Sequence, residues 1–180
     1  TERLTRIVNS ILNFSKMDSR SKKYNFEKTN LNLILDEVLK TYQHELNNSK
    51  NECIINKAIH LLDLELDKEA VMEAVINLID NALKYCESKC KIEISTGIDK
   101  NFAYLEVSDN GIGISKENQK KIFEKFYRVT SGNVHNTKGS GLGLSLVKNI
   151  MEAHNGNVIV ESKLGEGSKF QLKFPLNKIN

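Results

Sequence analysis

An α+β two-layer sandwich, with helices on one face of a mixed and mostly antiparallel sheet, is the fold class that this sequence predicts. Two observations lead to it. Apolar residues recur at helical spacing in some segments and alternate with polar residues in others. The resulting helices and strands also lack the strict alternation of a doubly wound fold. The 180 residues are enough for one hydrophobic core with a short appendage.

Helical spacing of apolar residues predicts helices over residues 1–18, 31–46, 68–85 and 142–154. Asn30 and Asp67 stand where a side chain can cap the second and the third of these helices. Asn155-Gly156 follows the fourth and is typical of a helix end.

Short apolar or alternating segments predict strands over residues 24–28, 53–55, 61–66, 91–97, 102–108, 157–162 and 168–174. The first of them reads as a short edge strand. The last four form two hairpins, with turns at Asp99-Lys100-Asn101 and Gly165-Glu166-Gly167. Pro175 is the one proline of the chain, and it closes the predicted domain.

The composition argues against several classes of function. With 26 basic and 23 acidic residues, the net charge of +3 is too even to predict a nucleic-acid-binding face. No apolar segment approaches the ~20 residues that span a bilayer, and no signal peptide is visible. Cys53, Cys86 and Cys90 have no partners for a zinc site, and we expect reduced structural thiols in a cytosolic domain.

Four short motifs carry the candidate chemistry: the asparagine motif (residues 77–85), the aspartate motif (109–113), the glycine motif (139–144) and the terminal motif (165–170). In the first, Asn77 and Asn81 are four residues apart and share one face of the predicted helix. Asparagine is a mediocre helix former, so a purely solvated surface explains the pair poorly. An amide oxygen is a hard, uncharged ligand that suits Mg²⁺.

The aspartate and glycine motifs each occupy the end of a predicted element. Asp109 follows a strand, where its carboxylate can turn inward, although Asp109-Asn110-Gly111 alone is more typical of a tight turn. The glycine motif opens a helix, whose free backbone N–H groups suit phosphate. It is neither a Walker loop nor a Rossmann fingerprint, because no Gly-Lys-Ser/Thr follows it and no strand leads into it.

In this order the four motifs resemble the ATP-binding domain of bacterial sensor histidine kinases, a family that includes gyrase B, MutL and the heat-shock chaperone ATPases. The resemblance covers residues 1–180. It implies the Bergerat-type ATP-binding fold, with ATP and Mg²⁺ as cofactors. The implied activity is transfer of the γ-phosphoryl group of ATP to a histidine, for relay to an aspartate of a response regulator.

The resemblance also implies a role for each motif residue. Asn81 would coordinate Mg²⁺, Asn77 would support the phosphate–metal cluster, and Asp109 would accept the exocyclic amine of adenine. Ser168 stands where the family more often has threonine and keeps the hydroxyl. The implied nucleotide contacts are Asn77, Asn81, Lys84, Tyr85, Asp109, Gly111, Gly113, Arg128, Gly139, Gly141, Leu142, Gly143, Leu144 and Ser168. The implied catalytic residues are Asn77, Arg128 and Lys138.

Position 77 bears on the choice of phosphate acceptor. ATP-hydrolysing relatives and anti-sigma serine kinases have a glutamate four residues before the magnesium asparagine, where it acts as general base. Asn77 cannot take a proton at neutral pH, and Glu73 lies one turn further away. A histidine acceptor needs no base, because its neutral imidazole already has a lone pair. The sequence therefore favours histidine phosphorylation.

Residues 123–128 resemble the phenylalanine motif of the same family. We expect Phe123 and Phe126 to belong to a helical core, and Arg128 to neutralise charge on the transferring phosphate. Lys138 is a second candidate for that role. Residues 129–138 are polar and have no core pattern, which predicts a mobile lid over the nucleotide.

None of the histidines His44, His60, His135 and His154 is followed by the acidic residue and proline that flank a family acceptor. We expect each of the four to be a structural or surface residue, with His154 at a helix end, where a cation suits the dipole. The acceptor is therefore expected before Thr1.

Residues 1–20 are predicted to be the end of a dimerisation hairpin rather than an N-terminal core helix, and residues 24–176 the catalytic domain. Implied partners are the protein's own dimerisation domain, a response-regulator receiver domain and a second copy in a full-length homodimer. Neither nucleic acid nor membrane contact is expected of this segment. We expect a cytoplasmic domain of a membrane-anchored protein. The alternatives are an anti-sigma-like serine kinase and a nucleotide-sensing pseudo-kinase.

Overall fold

The computed structural model describes residues 23–46, 51–86, 89–129 and 140–176. Its helices are α1 (Leu31–Thr41), α2 (Gln43–Leu46), α3 (Lys68–Tyr85), α4 (Lys116–Gln119) and α5 (Gly143–Ala153). Its strands are β1 (Glu27–Thr29), β2 (Asn51–Asn56), β3 (Leu64–Leu66), β4 (Cys90–Asp99), β5 (Phe102–Asp109), β6 (Asn157–Lys163) and β7 (Gly167–Pro175). The predicted helix 1–18 and most of the predicted lid lie outside the described residues. None of the described helices is long and apolar enough to cross a membrane.

A five-stranded sheet, with the order β2-β4-β5-β7-β6, forms one layer of the described fold. β2 pairs with β4 in parallel, whereas the β4–β5, β5–β7 and β6–β7 pairs are antiparallel. β1 and β3 form a separate antiparallel pair. The predicted mixed and mostly antiparallel sheet is confirmed.

One face of this sheet packs against the helices and forms one side of the hydrophobic core. Side chains alternate between buried and less buried along β4, β5 and β7, as expected for a sheet with one covered face. The fully buried helix residues that share this core include Ile34, Leu35 and Val38 of α1, Val71, Val75 and Ile79 of α3, and Val147 and Ile150 of α5. The predicted two-layer α+β sandwich is therefore confirmed.

Both predicted helix caps are present. The Asn30 side chain accepts a hydrogen bond from Leu33 N at 3.2 Å. Asp67 is buried and uses both carboxylate oxygens, because Oδ1 accepts from Ala70 N at 2.9 Å and Oδ2 accepts from Asn25 N at 2.8 Å. Asp67 therefore joins the start of α3 to the chain that enters β1.

His154 is buried at the end of α5 and is neutral there, although a cation at this helix end would suit the dipole. Asp67 N donates to its Nε2 at 2.9 Å, so this nitrogen must carry a lone pair. Its Nδ1 lies 2.7 Å from Ile150 O and therefore carries the proton. Both nitrogens are satisfied in the neutral imidazole, which makes His154 a structural residue.

Several short elements differ from the prediction. The helix predicted over 31–46 is interrupted at Tyr42, whose hydroxyl donates to Asp80 Oδ1 at 2.6 Å and so contacts α3. The strand predicted over 61–66 begins only at Leu64, since Leu62 is exposed. The short helix α4 was not predicted. Four residues without a periodic pattern carry too little signal for such an element.

Cys86 and Cys90 form a disulfide, so the expectation of reduced thiols was wrong for this pair. Cys86 follows the end of α3 and Cys90 begins β4, and their Cα atoms lie 5.4 Å apart, which suits a disulfide. Cys53 is not bonded, and burial raises the pKa of its thiol.

The capping role of Asp67 gives a stability prediction. Asp67→Ala should lower the free energy of unfolding by about 2–3 kcal/mol, because two backbone N–H groups lose their acceptor. Chemical denaturation measures the change. Glu65→Ala, an exposed substitution two residues away, is the control and should change stability by no more than about 0.5 kcal/mol. Equal losses in the two variants would contradict the assignment.

Candidate functional site

The described parts of the four motifs meet around the C-terminal half of α3. Ile112 N of the aspartate motif donates to Tyr85 O at 3.2 Å. Asp109 pairs with Ser168 of the terminal motif across β5 and β7. A Cβ placed on Gly143 of the glycine motif would lie 2.6 Å from Asn77 Oδ1. Segments far apart in sequence therefore converge on one region.

The two asparagines of α3 differ in their contacts. Asn77 donates from Nδ2 to Glu73 O at 2.8 Å, which leaves its Oδ1 facing Gly143. The amide of Asn81 is half-buried and, within the described ranges, forms no hydrogen bond to a protein group. Asn81 is therefore available to a ligand, while Asn77 is already held by its own helix.

Lys84 and Tyr85 end the polar face of α3. Lys84 Nζ donates to Tyr85 Oη at 3.1 Å and lies 4.6 Å from the centre of the Tyr85 ring. This contact holds a cation beside the C-terminal end of the helix, where positive charge is favourable. Tyr85 also contacts the aspartate motif, because its backbone carbonyl accepts from Ile112 N.

Asp109 is half-buried at the end of β5, with its carboxylate turned toward the loop that follows. Its Oδ1 accepts a hydrogen bond from Gly111 N at 2.8 Å. Burial raises the pKa of Asp109, while hydrogen bonding by the backbone N–H groups of Gly111 and Ser168 opposes that rise. The result is an acceptor in a partly desolvated position, which strengthens a hydrogen bond to a donating ligand.

At two positions only glycine fits, because the backbone has a positive φ and another backbone segment lies in contact with it. Gly113 has φ 69°, and a Cβ there would lie 2.0 Å from Lys163 O. Gly167 has φ 96°, and a Cβ there would lie 1.9 Å from Asp109 O. Any side chain at either position would push the aspartate motif away from β6 or β7.

The start of α5 lacks a side-chain cap. Leu142 is buried and Leu144 is half-buried, so both contribute packing rather than polar contacts. Gly141 has φ 72°, and its carbonyl accepts from Phe126 N at 3.0 Å. Leu142 N donates to Ser140 Oγ at 3.4 Å, whereas the N–H groups of the first turn of α5 have no side-chain acceptor among the described residues, which suits an anionic ligand.

The phenylalanine motif was predicted wrongly in part. Phe123 packs against the core as expected but lies outside the helices, and so does Phe126, which is 67% exposed with φ 62°. Ile122 takes the buried position instead, and Phe126 contacts the glycine motif through its backbone. Arg128 is exposed, whereas Lys138 and Gly139 lie outside the described residues.

Sequence reasoning missed three side chains that hold the aspartate motif in place. Asn110 Oδ1 accepts from Lys91 N at 2.8 Å, and its Nδ2 donates to Lys89 O at 3.1 Å. Gln119 Nε2 donates to Ile114 O at 2.9 Å and to Ser162 O at 2.8 Å. The third, Ser162, bonds to Ile114 N. Only the asparagine of the Asp-Asn-Gly turn carried a signal for such a role.

Among the described residues, the polar face of α3 offers amide oxygens as donors for a metal. Across the described segments, no group of three or more His, Cys, Asp or Glu side chains could hold a metal ion. The half-buried Asn81 amide fits a magnesium ion that keeps most of its waters and takes phosphate oxygens. The donor set suits Mg²⁺ bound together with a phosphate group rather than a metal bound by the protein alone.

Comparisons with known proteins agree with this geometry. Residues 66–178 match the family described as histidine kinase-, DNA gyrase B-, and HSP90-like ATPase. The sensor protein RprX of Bacteroides fragilis is 34% identical over 99% of this chain and 35% of its own length. The sensor protein kinase WalK of Staphylococcus saprophyticus is 32% identical over 97% of this chain and 29% of its own length. The chain thus spans about a third of the length of these relatives.

A solved protein has the same fold. The catalytic domain of the histidine kinase ThkA superimposes with a TM-score of 0.73 at 26% identity, covering 84% of this chain and 95% of that one. ThkA in complex with the response regulator protein TrrA superimposes with a TM-score of 0.77 at 23% identity, covering 98% of this chain and 49% of that one.

The raised pKa of Asp109 gives a pH-dependent stability prediction. The folded domain favours the neutral carboxyl, so this contribution to stability is present below the ordinary pKa of 3.8 and is lost as the pH rises through the raised value. In Asp109→Asn the amide side chain does not titrate. The free energy of unfolding of this variant, relative to wild type, should therefore increase between about pH 3.5 and about pH 7.

Asp99→Asn is a control of opposite sign. The hydrogen bond and charge of Lys173 lower the pKa of Asp99, so its contribution is present above 3.8 and lost as the pH falls. The stability of this variant relative to wild type should decrease as the pH rises from about 2 to about 5. Denaturant titrations at several pH values measure both slopes, and slopes of equal sign would refute the Asp109 assignment.

Proposed function

Because the chain belongs to the family of histidine kinase-, DNA gyrase B- and HSP90-like ATPases, we propose that it is the ATP-binding catalytic domain of a two-component sensor histidine kinase. The family resemblance predicted from the four motifs is confirmed. The domain would transfer the γ-phosphoryl group of ATP to a histidine outside this chain segment. Relay to a response-regulator aspartate would follow.

The observation that carries the proposal is the meeting of three unlike groups at one place. These are the carboxylate of Asp109, the amide face of α3 and the start of α5 without a side-chain cap. A nucleotide needs an acceptor for its base amine, neutralisation for its phosphates and N–H donors for phosphate oxygens. The three groups supply these in one region, which supports ATP as the ligand.

Magnesium is the cofactor that we propose at Asn81. Bound there, the ion would neutralise phosphate charge and orient the phosphate oxygens. Asn77 would support this arrangement from one turn away, since its Nδ2 already donates to Glu73 O. Lys84 and Tyr85 would contact phosphate or nucleotide, and Arg128 and Lys138 would neutralise charge on the transferring group.

The absence of a carboxylate at position 77 supports histidine as the acceptor. An amide cannot take a proton from a serine hydroxyl or from water at neutral pH. Neutral imidazole nitrogen needs no such help. Positioning and charge neutralisation would then account for catalysis. ThkA, whose catalytic domain has the same fold, is a histidine kinase.

Residues 24–176 are the proposed catalytic domain, and residues 1–20 the proposed end of the dimerisation hairpin. The partners would be the dimerisation domain, a response-regulator receiver domain and a second copy in the full-length protein. ThkA, which shares the fold, has been solved with a response regulator. We place the domain in the cytoplasm, with the full-length protein anchored in the cell membrane.

The serine-kinase alternative is disfavoured by Asn77, as argued above. A nucleotide-sensing pseudo-kinase would keep the same binding site and lose only the chemistry. Asn81 and Asp109, which are both placed for binding, do not separate a kinase from such a sensor. A phosphotransfer assay separates them.

Magnesium-dependent nucleotide binding tests the role of Asn81. In the 180-residue chain, Asn81→Ala should bind ATP with equal affinity in the presence and absence of Mg²⁺, because the direct ligand is lost. Asn77→Ala is the matched control on the same helix face and should retain magnesium dependence. Calorimetric titrations of both variants measure this. Equal magnesium dependence in wild type and Asn81→Ala would reject the coordination role.

Phosphotransfer tests the proposed reaction. Incubated with Mg-ATP labelled at the γ-phosphate, the 180-residue chain alone should incorporate no stable label. Its own dimerisation domain, supplied separately, should become labelled slowly, because mixing forfeits the high local concentration of a covalent tether. The phosphate linkage should be acid-labile and base-stable.

Two results would contradict this assignment. Base-labile label would point to a serine acceptor. Label on His44, His60, His135 or His154 would mean an acceptor inside the chain. Asn81→Ala supplied in place of wild type is the control, and it should not label the dimerisation domain.

A further inference from the structure

Ser162 lies near the end of β6 and was not among the predicted contacts. Its Oγ is surrounded by three polar groups of the candidate site. The distances are 2.7 Å to Ile114 N, 2.8 Å to Gly167 O and 2.9 Å to Ser168 Oγ. Ser162 therefore connects Ile114, which directly follows the aspartate motif, to the terminal motif.

The chemistry of these groups determines which of them donates. A hydroxyl has one proton and two lone pairs. Ile114 N can only donate to Ser162, and Gly167 O can only accept from it. The single proton of Ser162 is used by Gly167 O, so its remaining lone pair must receive the proton of Ser168. All hydrogen-bonding capacity of Ser162 is then satisfied.

This arrangement leaves Ser168 with lone pairs only for any ligand. Ser168 is the residue paired with Asp109 across β5 and β7, so a hydroxyl and a carboxylate lie side by side. Both are then hydrogen-bond acceptors. A base edge that carries an amine can donate to them, whereas a base edge that carries a carbonyl oxygen presents a further acceptor.

We propose that Ser162 is a positioning residue for nucleobase selectivity, which holds the proton of Ser168 away from the bound base. Its role is to make the site accept amino-purines and reject purines with a carbonyl at the same ring position. The proposal rests on the nucleotide-binding function proposed above. Ser162 is not one of the proposed ligand contacts, and it would act on the bound base through Ser168.

Competitive binding of ADP and IDP by the 180-residue chain tests the proposal, because IDP has a carbonyl in place of the amine and a proton on the neighbouring ring nitrogen. In Ser162→Ala the hydroxyl of Ser168 becomes free to donate to that carbonyl. The preference for ADP over IDP should fall by at least about threefold. Ser162→Thr keeps the hydroxyl and should keep the wild-type preference.

A double substitution separates selectivity from a structural effect. In a Ser168→Ala background, Ser162→Ala should leave the ratio of ADP to IDP affinity unchanged, because Ser162 has no hydroxyl to direct. If Ser162→Ala does not fold, Ser162→Cys carries the same expectation, since a thiol is a weak hydrogen-bond partner.

The failures are distinguishable. Equal loss of ADP and IDP affinity in Ser162→Ala would overturn the selectivity role and leave the proposed function standing. The same holds for a changed ratio in the Ser168→Ala background. Failure of the wild-type chain to bind ADP would overturn the proposed function, and this inference with it.

Discussion

A close backbone contact between the end of α3 and the aspartate motif is the constraint on which the candidate site depends. Ile112 N donates to Tyr85 O, and a Cβ placed on Gly111 would lie 2.5 Å from that same oxygen. Only a residue without a side chain allows this approach. The contact brings the carboxylate of Asp109 beside the helix that carries the asparagines. The proposed base-binding and phosphate-binding residues are therefore held together by this backbone contact.

Long elements with a strong pattern could be predicted from the sequence. The helix from Lys68 to Tyr85 and the two hairpins, β4–β5 and β6–β7, follow from periodicity, caps and turn residues. Shorter elements could not. Tyr42, at the break between α1 and α2, donates to Asp80, and the exposed Phe126 contacts Gly141 through its backbone. Such tertiary contacts override local preference.

Only part of the candidate site could be predicted from the sequence. Residues that would touch a ligand belong to short motifs, and their residue types carry a chemical signal. The residues that hold those motifs in place carry no such signal. Asn110, Gln119 and Ser162 bond mainly to backbone groups of distant segments, and a backbone group leaves no trace in the sequence. The disulfide between Cys86 and Cys90 was not predicted, because the spacing of two cysteines alone does not show how the chain turns between them.

The parallel pairing of β2 with β4 has a consequence for how the protein folds. The chain between these strands contains all of α3, so the helix is the crossover that a parallel pair requires. The helix therefore lies within a chain segment whose two ends are paired in the sheet, and that pairing forms only when distant segments meet. The asparagine-bearing helix should accordingly open only with the sheet, and its buried amide protons should exchange with solvent at the slow rate of global unfolding.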